Sequence, residues 1–93
     1  MTAQPSRPIA LDHREPVVHE LSPLRLADQI IMLHLSLRRS DDGAWRGRFL
    51  FQHPGGRECE TAEIFCGVTE DELWQSVRGL RDHHVRALYL SLV

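Results

Sequence analysis

The 93-residue chain contains no lysine and no asparagine. All 11 of its basic residues are arginine. Lysine and asparagine codons are AT-rich, so the absence points to a GC-rich, bacterial genome and says nothing of activity. Cysteine is scarce, with only Cys59 and Cys66 present. The two lie seven apart on one predicted strand, and an odd offset sends side chains to opposite faces. That argues against a disulfide between them, and free thiols fit a reducing compartment. Long apolar runs are missing as well. The longest, Ile30 to Leu37, is interrupted by His34 and Ser36, whereas spanning a bilayer takes about 20 apolar residues. The first residues carry Pro5, Arg7, Pro8, Asp12 and Arg14 in place of an apolar leader. The expectation is a cytoplasmic protein with no membrane partner. Excess positive charge is also lacking. A net charge of −2 is a poor footprint for non-specific nucleic-acid binding, which needs clustered cations.

What is present fits one small globular domain. Hydrophobic residues make up 42% of the chain, near the usual share, and the length suits a single domain with a modest core. Residues 1–21 read as an N-terminal arm, with Pro5, Pro8 and Pro16 among polar residues and a short extended segment from Pro16 to Leu21. Residues 22–93 read as the domain. Ser22-Pro23 resembles a helix N-cap with proline at the first helical position, which predicts a helical turn over 24–28.

Strand signals follow. Ile31, Leu33, Leu35 and Leu37 alternate with Met32, His34, Ser36 and Arg38. Asp41-Asp42-Gly43 predicts a three-residue hairpin loop, with Gly43 in the left-handed position. That loop sets Leu37 opposite Gly47, Leu35 opposite Phe49 and Leu33 opposite Phe51, all on one face. A two-residue loop would mix the faces, so the apolar pattern selects the register. Gly55-Gly56 predicts a second, two-residue turn that sets Phe51 opposite Glu60 and Arg48 opposite Glu63. Gly47 reads as a gap where a helix or Trp74 comes close. Thr69 and Glu72 form a capping box at the start of one helix of about four turns. Its end carries Arg81, His83 and His84, which complement the macrodipole. Leu88, Leu90 and Leu92 alternate with Ala87, Tyr89 and Ser91, predicting a last strand reached by a right-handed crossover. The fold expected is α+β: a mainly antiparallel four-stranded sheet, β-β-β-α-β in order 4-1-2-3, with one helix on one face.

One helix shelters one side of such a sheet. Met32, Arg38, Arg46, Arg48, Leu50, Phe65 and Tyr89 are then expected on the uncovered side. Met32, Leu50, Phe65 and Tyr89 would form an interface centre, with the arginines as its rim. Three occupants are considered: the arm, through Ile9, Leu11, Val17 and Val18; a second copy; or another protein. The leading expectation is a small interaction module that homodimerises or binds another protein through this face. The alternative is a binder of single-stranded nucleic acid or another polyanion through Arg38, Arg46 and Arg48, with Phe65 and Tyr89 as stacking surfaces. Against it, Glu63 and nearby carboxylates are expected to neutralise the arginines.

Other chemistry finds little support. Of the 6 histidines, His13 and His19 fall in the arm and His83 and His84 are adjacent at a helix end, which argues against a metal site. His53 and Glu58 are predicted to face each other at an exposed hairpin tip, which suits a surface pair better than a catalytic one. No nucleophile motif or phosphate loop occurs. The expectation is a non-enzyme with no cofactor and no metal.

Overall fold

The computed structural model describes residues 15–93, and these form an α+β fold. Six strands make an open antiparallel sheet: β1 (Val17–Glu20), β2 (Leu24–Leu26), β3 (Gln29–Arg39), β4 (Trp45–Gln52), β5 (Glu58–Glu60) and β6 (Phe65–Gly67). Two helices follow, α1 (Glu70–Arg78) and α2 (Asp82–Leu92). β1 and β2 lie along one side of β3, and β5 and β6 lie along the far side of β4.

The central hairpin follows the alternation in the sequence. Leu37 pairs with Gly47, Leu35 with Phe49 and Leu33 with Phe51. The Ser40 N–H donates to the Ala44 carbonyl at 2.8 Å, closing the three-residue loop, and Gly43 sits there at φ +87°. One face of this hairpin is buried. Ile31, Leu33, Leu35, Leu37, Phe49 and Phe51 pack with Phe65, Leu73 and Tyr89 into a single core.

Several features differ from the sequence reading. Ser22-Pro23 does not start a helix. Val17 pairs with Leu37, but Leu24 pairs with Ile31, so a one-residue bulge separates β1 from β2 and holds Pro23 at a sheet edge. Residues 17–20, read as part of the arm, therefore belong to the sheet.

The second hairpin has a three-residue loop. The His53 N–H donates to the Arg57 carbonyl at 2.7 Å, and Gly56 takes φ +90°, as Gly43 does in the first. The extra loop residue shifts the register by one. Leu50 now faces Glu60, Gln52 faces Glu58, and His53 faces Arg57 where Glu58 was expected.

A wide bulge follows. Thr61 still meets Phe49, its N–H donating to the Phe49 carbonyl and its Oγ1 accepting from the Phe49 N–H, each at 3.1 Å. Pairing resumes with Phe65 opposite Gly47, two residues out of step. An even offset keeps Thr61 and Phe65 on the same, buried face. Cys59 and Cys66 are free thiols on separate strands, opposite Phe51 and Arg46.

The single helix and final strand are instead two helices. The Thr69 cap is formed, its Oγ1 accepting from the Glu72 N–H at 3.2 Å. α1 then stops at Gly79, and α2 begins after Arg81. His83 and His84 open α2 rather than close α1. The His84 Nδ1 accepts from the Arg81 N–H at 3.3 Å. Residues 85–92 fit both periods: Leu88, Leu90 and Leu92 alternate, but Val85, Leu88, Tyr89 and Leu92 also recur at helical spacing. Arg, Ala and Leu favour the helix, and burial of Tyr89 against Phe51, ring centroids 5.2 Å apart, fixes it. The expected order 4-1-2-3 falls with that strand. At Gly47, Leu37 Cδ2 takes the room expected for a helix, 3.0 Å from where a Cβ would lie. Gly67 is where a helix comes close, with the Leu73 N and Thr69 O both 2.8 Å from such a Cβ.

Candidate docking surface on the open sheet face

Both helices pack against the core side of the sheet. The opposite side carries the even-numbered residues of β3 and β4. Met32, His34, Ser36 and Arg38 lie beside Gln52, Leu50, Arg48 and Arg46. Val18 and Glu20 extend the surface on β1, and Glu58 and Glu60 on β5. Among the described residues, no element packs over this face.

Its arginines are joined by carboxylates into a web. Arg38 makes a two-pronged contact with Glu63, Nε to Oε2 at 2.6 Å and NH2 to Oε1 at 2.8 Å. The β5–β6 bulge positions Glu63 to reach past β4 to β3. Arg48 contacts Glu60 and lies 3.6 Å from Glu63, the pair expected from the sequence but with Arg38 as the closer partner. Arg46, opposite Arg38 in the β3–β4 register, pairs with Asp42 at 3.2 Å. The web sets the ionisation of its members. The hydrogen bond from Arg38 pulls the Glu63 carboxyl below its ordinary range, with the Arg38 and Arg48 charges adding and burial opposing. The same bond raises Arg38. Asp42 is lowered to about 2, chiefly by the Ser40 hydroxyl and then by the Ala44 N–H.

Apolar ground lies beside the web. A depression of about 320 Å³ is lined by Pro16, Val18, Arg38, Leu50 and Glu63, among others. A neighbouring one of about 180 Å³ shares Val18 and Leu50 and adds His34 and Gln52. Met32, Leu50 and the three arginines are thus on the expected face, half-buried by their neighbours.

Phe65 and Tyr89 are not. Phe65 is 5% exposed and stacks edge-on with Phe49 at 4.9 Å, while Tyr89 is 2% exposed beside Phe51. The two-residue reading of the second turn misplaced Phe65, and the strand reading of 85–93 misplaced Tyr89. Neither is available to stack on a ligand at this face. The same one-residue shift in the second hairpin turns Cys59 and Thr61 to the core side and Glu58 and Glu60 to the open side. Of the residues proposed to cover the face, Val17 and Val18 lie in β1, and Ile9 and Leu11 lie outside the described residues.

The sequence reading missed an apolar groove of about 550 Å³ on the helix side, lined by Ile64, Phe65, Leu80, Ala87 and Leu88 with His84 and Ser91. His84, Ala87, Leu88 and Ser91 recur at helical spacing within α2, a signal hidden by the strand assignment. Among the described residues, no group of three or more His, Cys, Asp or Glu side chains is placed to hold a metal ion. Nor is any helix among them long and apolar enough to cross a membrane. Comparison with protein families, curated proteins and solved structures returned no match.

Proposed function

We propose that this chain is a small protein-interaction module whose docking surface is the open sheet face, taking either a second copy or another protein. The observation that carries the reading is the pairing of apolar ground around Pro16, Val18 and Leu50 with a web of mutually neutralised charges. Such a mixed surface suits a protein partner, with aliphatic anchors at the centre and exchangeable ion pairs at the rim. The polyanion alternative is less well served. Arg38, Arg46 and Arg48 each hold a carboxylate that an incoming phosphate would have to displace.

A photoreactive side chain at position 50 tests the proposal. On irradiation in cells it yields a discrete protein adduct, self or foreign, which the same group at exposed Ser76 does not give. Arg48→Glu diminishes the adduct. Equal labelling from both positions would remove the face as a specific surface. Salt-sensitive binding to mixed oligonucleotides, lost in Arg48→Glu, would instead favour the polyanion alternative.

A further inference from the structure

The outer edge of β1 has no partner strand among the described residues, and the register shows which backbone groups face it. The Leu21 N–H donates to the Leu33 carbonyl at 2.9 Å. His19 and Val17 pair with Leu35 and Leu37 in the same phase. Odd-numbered residues therefore turn their backbone groups toward β3, and Val18 and Glu20 turn theirs outward. Pro16 is the next outward position and has no N–H to leave unpaired. Pro23, in the bulge, bounds the segment on its other side. Between them lies an extended window with Val17 57% and Val18 52% exposed. Unpaired edges of this kind template pairing with another strand.

We propose that β1 pairs with β1 of a second copy, antiparallel about a two-fold axis at His19. The window is self-complementary in this register. Val18 exchanges N–H···O=C bonds with Glu20 of the partner subunit, and Glu20 with Val18 of the partner subunit, so all outward groups of both residues are used. On the helix side, Val17 meets Leu21 of the partner subunit and extends the apolar core across the junction. A one-residue shift would set outward groups against inward ones. A two-residue shift centred on Val18 would set Glu20 against Pro16 of the partner subunit, leaving the Glu20 carbonyl without a donor. Two-fold pairing of one patch with itself is the commonest form of self-association. It leaves both open faces uncovered and side by side, so it does not rest on the docking role of that face.

Sedimentation of the full chain tests it. The wild type sediments as a dimer. Val18→Pro removes only an outward N–H, so it keeps the monomer's circular dichroism and unfolding midpoint but weakens dimerisation roughly 100-fold or more. Leu50→Asp, on the open face, leaves the dimer intact. In a Cys59→Ser, Cys66→Ser background, His19→Cys forms an intermolecular disulfide on oxidation. Non-hydrogen-bonded antiparallel partners sit about 4.5 Å apart at Cα, within disulfide range. This cross-link keeps the proposal testable if the proline variant fails to fold. A wild type that stays monomeric, or a Val18→Pro dimer as tight as wild type, overturns the proposal. So does a dimer that Leu50→Asp alone dissociates, an outcome that would place self-association on the open face and support its docking role.

Discussion

Ala27 occupies a backbone conformation that an L-residue resists. It sits at φ 56° in the two-residue turn between β2 and β3, where Leu26 pairs with Gln29. A Cβ in this region costs on the order of 1–2 kcal/mol, and glycine avoids that cost at the expense of a more flexible unfolded chain. Ala27→Gly is expected to stabilise the protein by about 0.5–1 kcal/mol, read as a higher urea midpoint at unchanged slope; a lower midpoint would show that the turn is not strained. Glu63 supplies a second test at this scale. Arg38 lowers its carboxyl in the folded state below the ordinary value of 4.5. A depressed carboxylate binds its proton more weakly folded than unfolded, so its contribution is complete above the ordinary value and fades as pH falls through the lowered one. Glu63→Gln removes that dependence. Midpoints measured from neutral to strongly acid pH should fall less steeply for the variant than for the wild type; parallel curves would mean that the pair contributes nothing in solution.

Elements divide into those that their own residues dictate and those that distant packing decides. The β3–β4 hairpin belongs to the first kind. Period-two alternation and Gly43 admitted one register, and the fold adopts it. The Thr69 cap is similar, since the hydroxyl and the amide it serves lie three residues apart. The second hairpin shows where local signals run out. Gly55-Gly56 suits a two-residue or a three-residue loop equally well, and the choice moves every later side chain. The bulge at 62–64 leaves no mark in the apolar pattern, because its two extra residues preserve parity. The final helix was obscured by a leucine spacing that satisfies both periods, with the decision made by the Phe51 surface that receives Tyr89. Hence three arginines, Leu50 and Met32 were legible as one face, whereas Phe65 and Tyr89 were not. The close approach of α1 to β6 was invisible for a related reason, as nothing local distinguishes Gly67 from a turn glycine. A methyl group there would lie 2.8 Å from backbone atoms of Thr69 and Leu73. Backbone cannot rotate aside as a side chain can, so Gly67→Ala should destabilise by roughly 1–3 kcal/mol. Thermal unfolding would reveal it, and an unchanged midpoint would mean that α1 is displaced at no cost.

At the scale of the whole molecule, the sheet divides the described residues into a side that holds the fold and a side over which none of their elements packs. Phe49 and Leu50 are consecutive on β4 and point to opposite sides. Phe49 is 1% exposed, with Phe51 and Phe65 rings at 5.9 and 4.9 Å. Leu50 faces the open side, between Glu60 and His34. Truncating a buried phenylalanine costs about 3–5 kcal/mol, because the transferred surface and the cavity left behind both count. A small domain has on the order of 5–15 kcal/mol in total, so Phe49→Ala should leave it marginal or unfolded. Leu50→Ala removes a side chain that already meets solvent and should cost under about 1 kcal/mol. Urea unfolding of the two variants side by side measures the contrast. Comparable losses would mean that Leu50 is held under further chain, and the open face would then be part of a core. A large loss at Phe49 with little at Leu50 leaves the apolar residues of the open side without a stabilising role in the monomer. That outcome would support the docking role proposed for the open side.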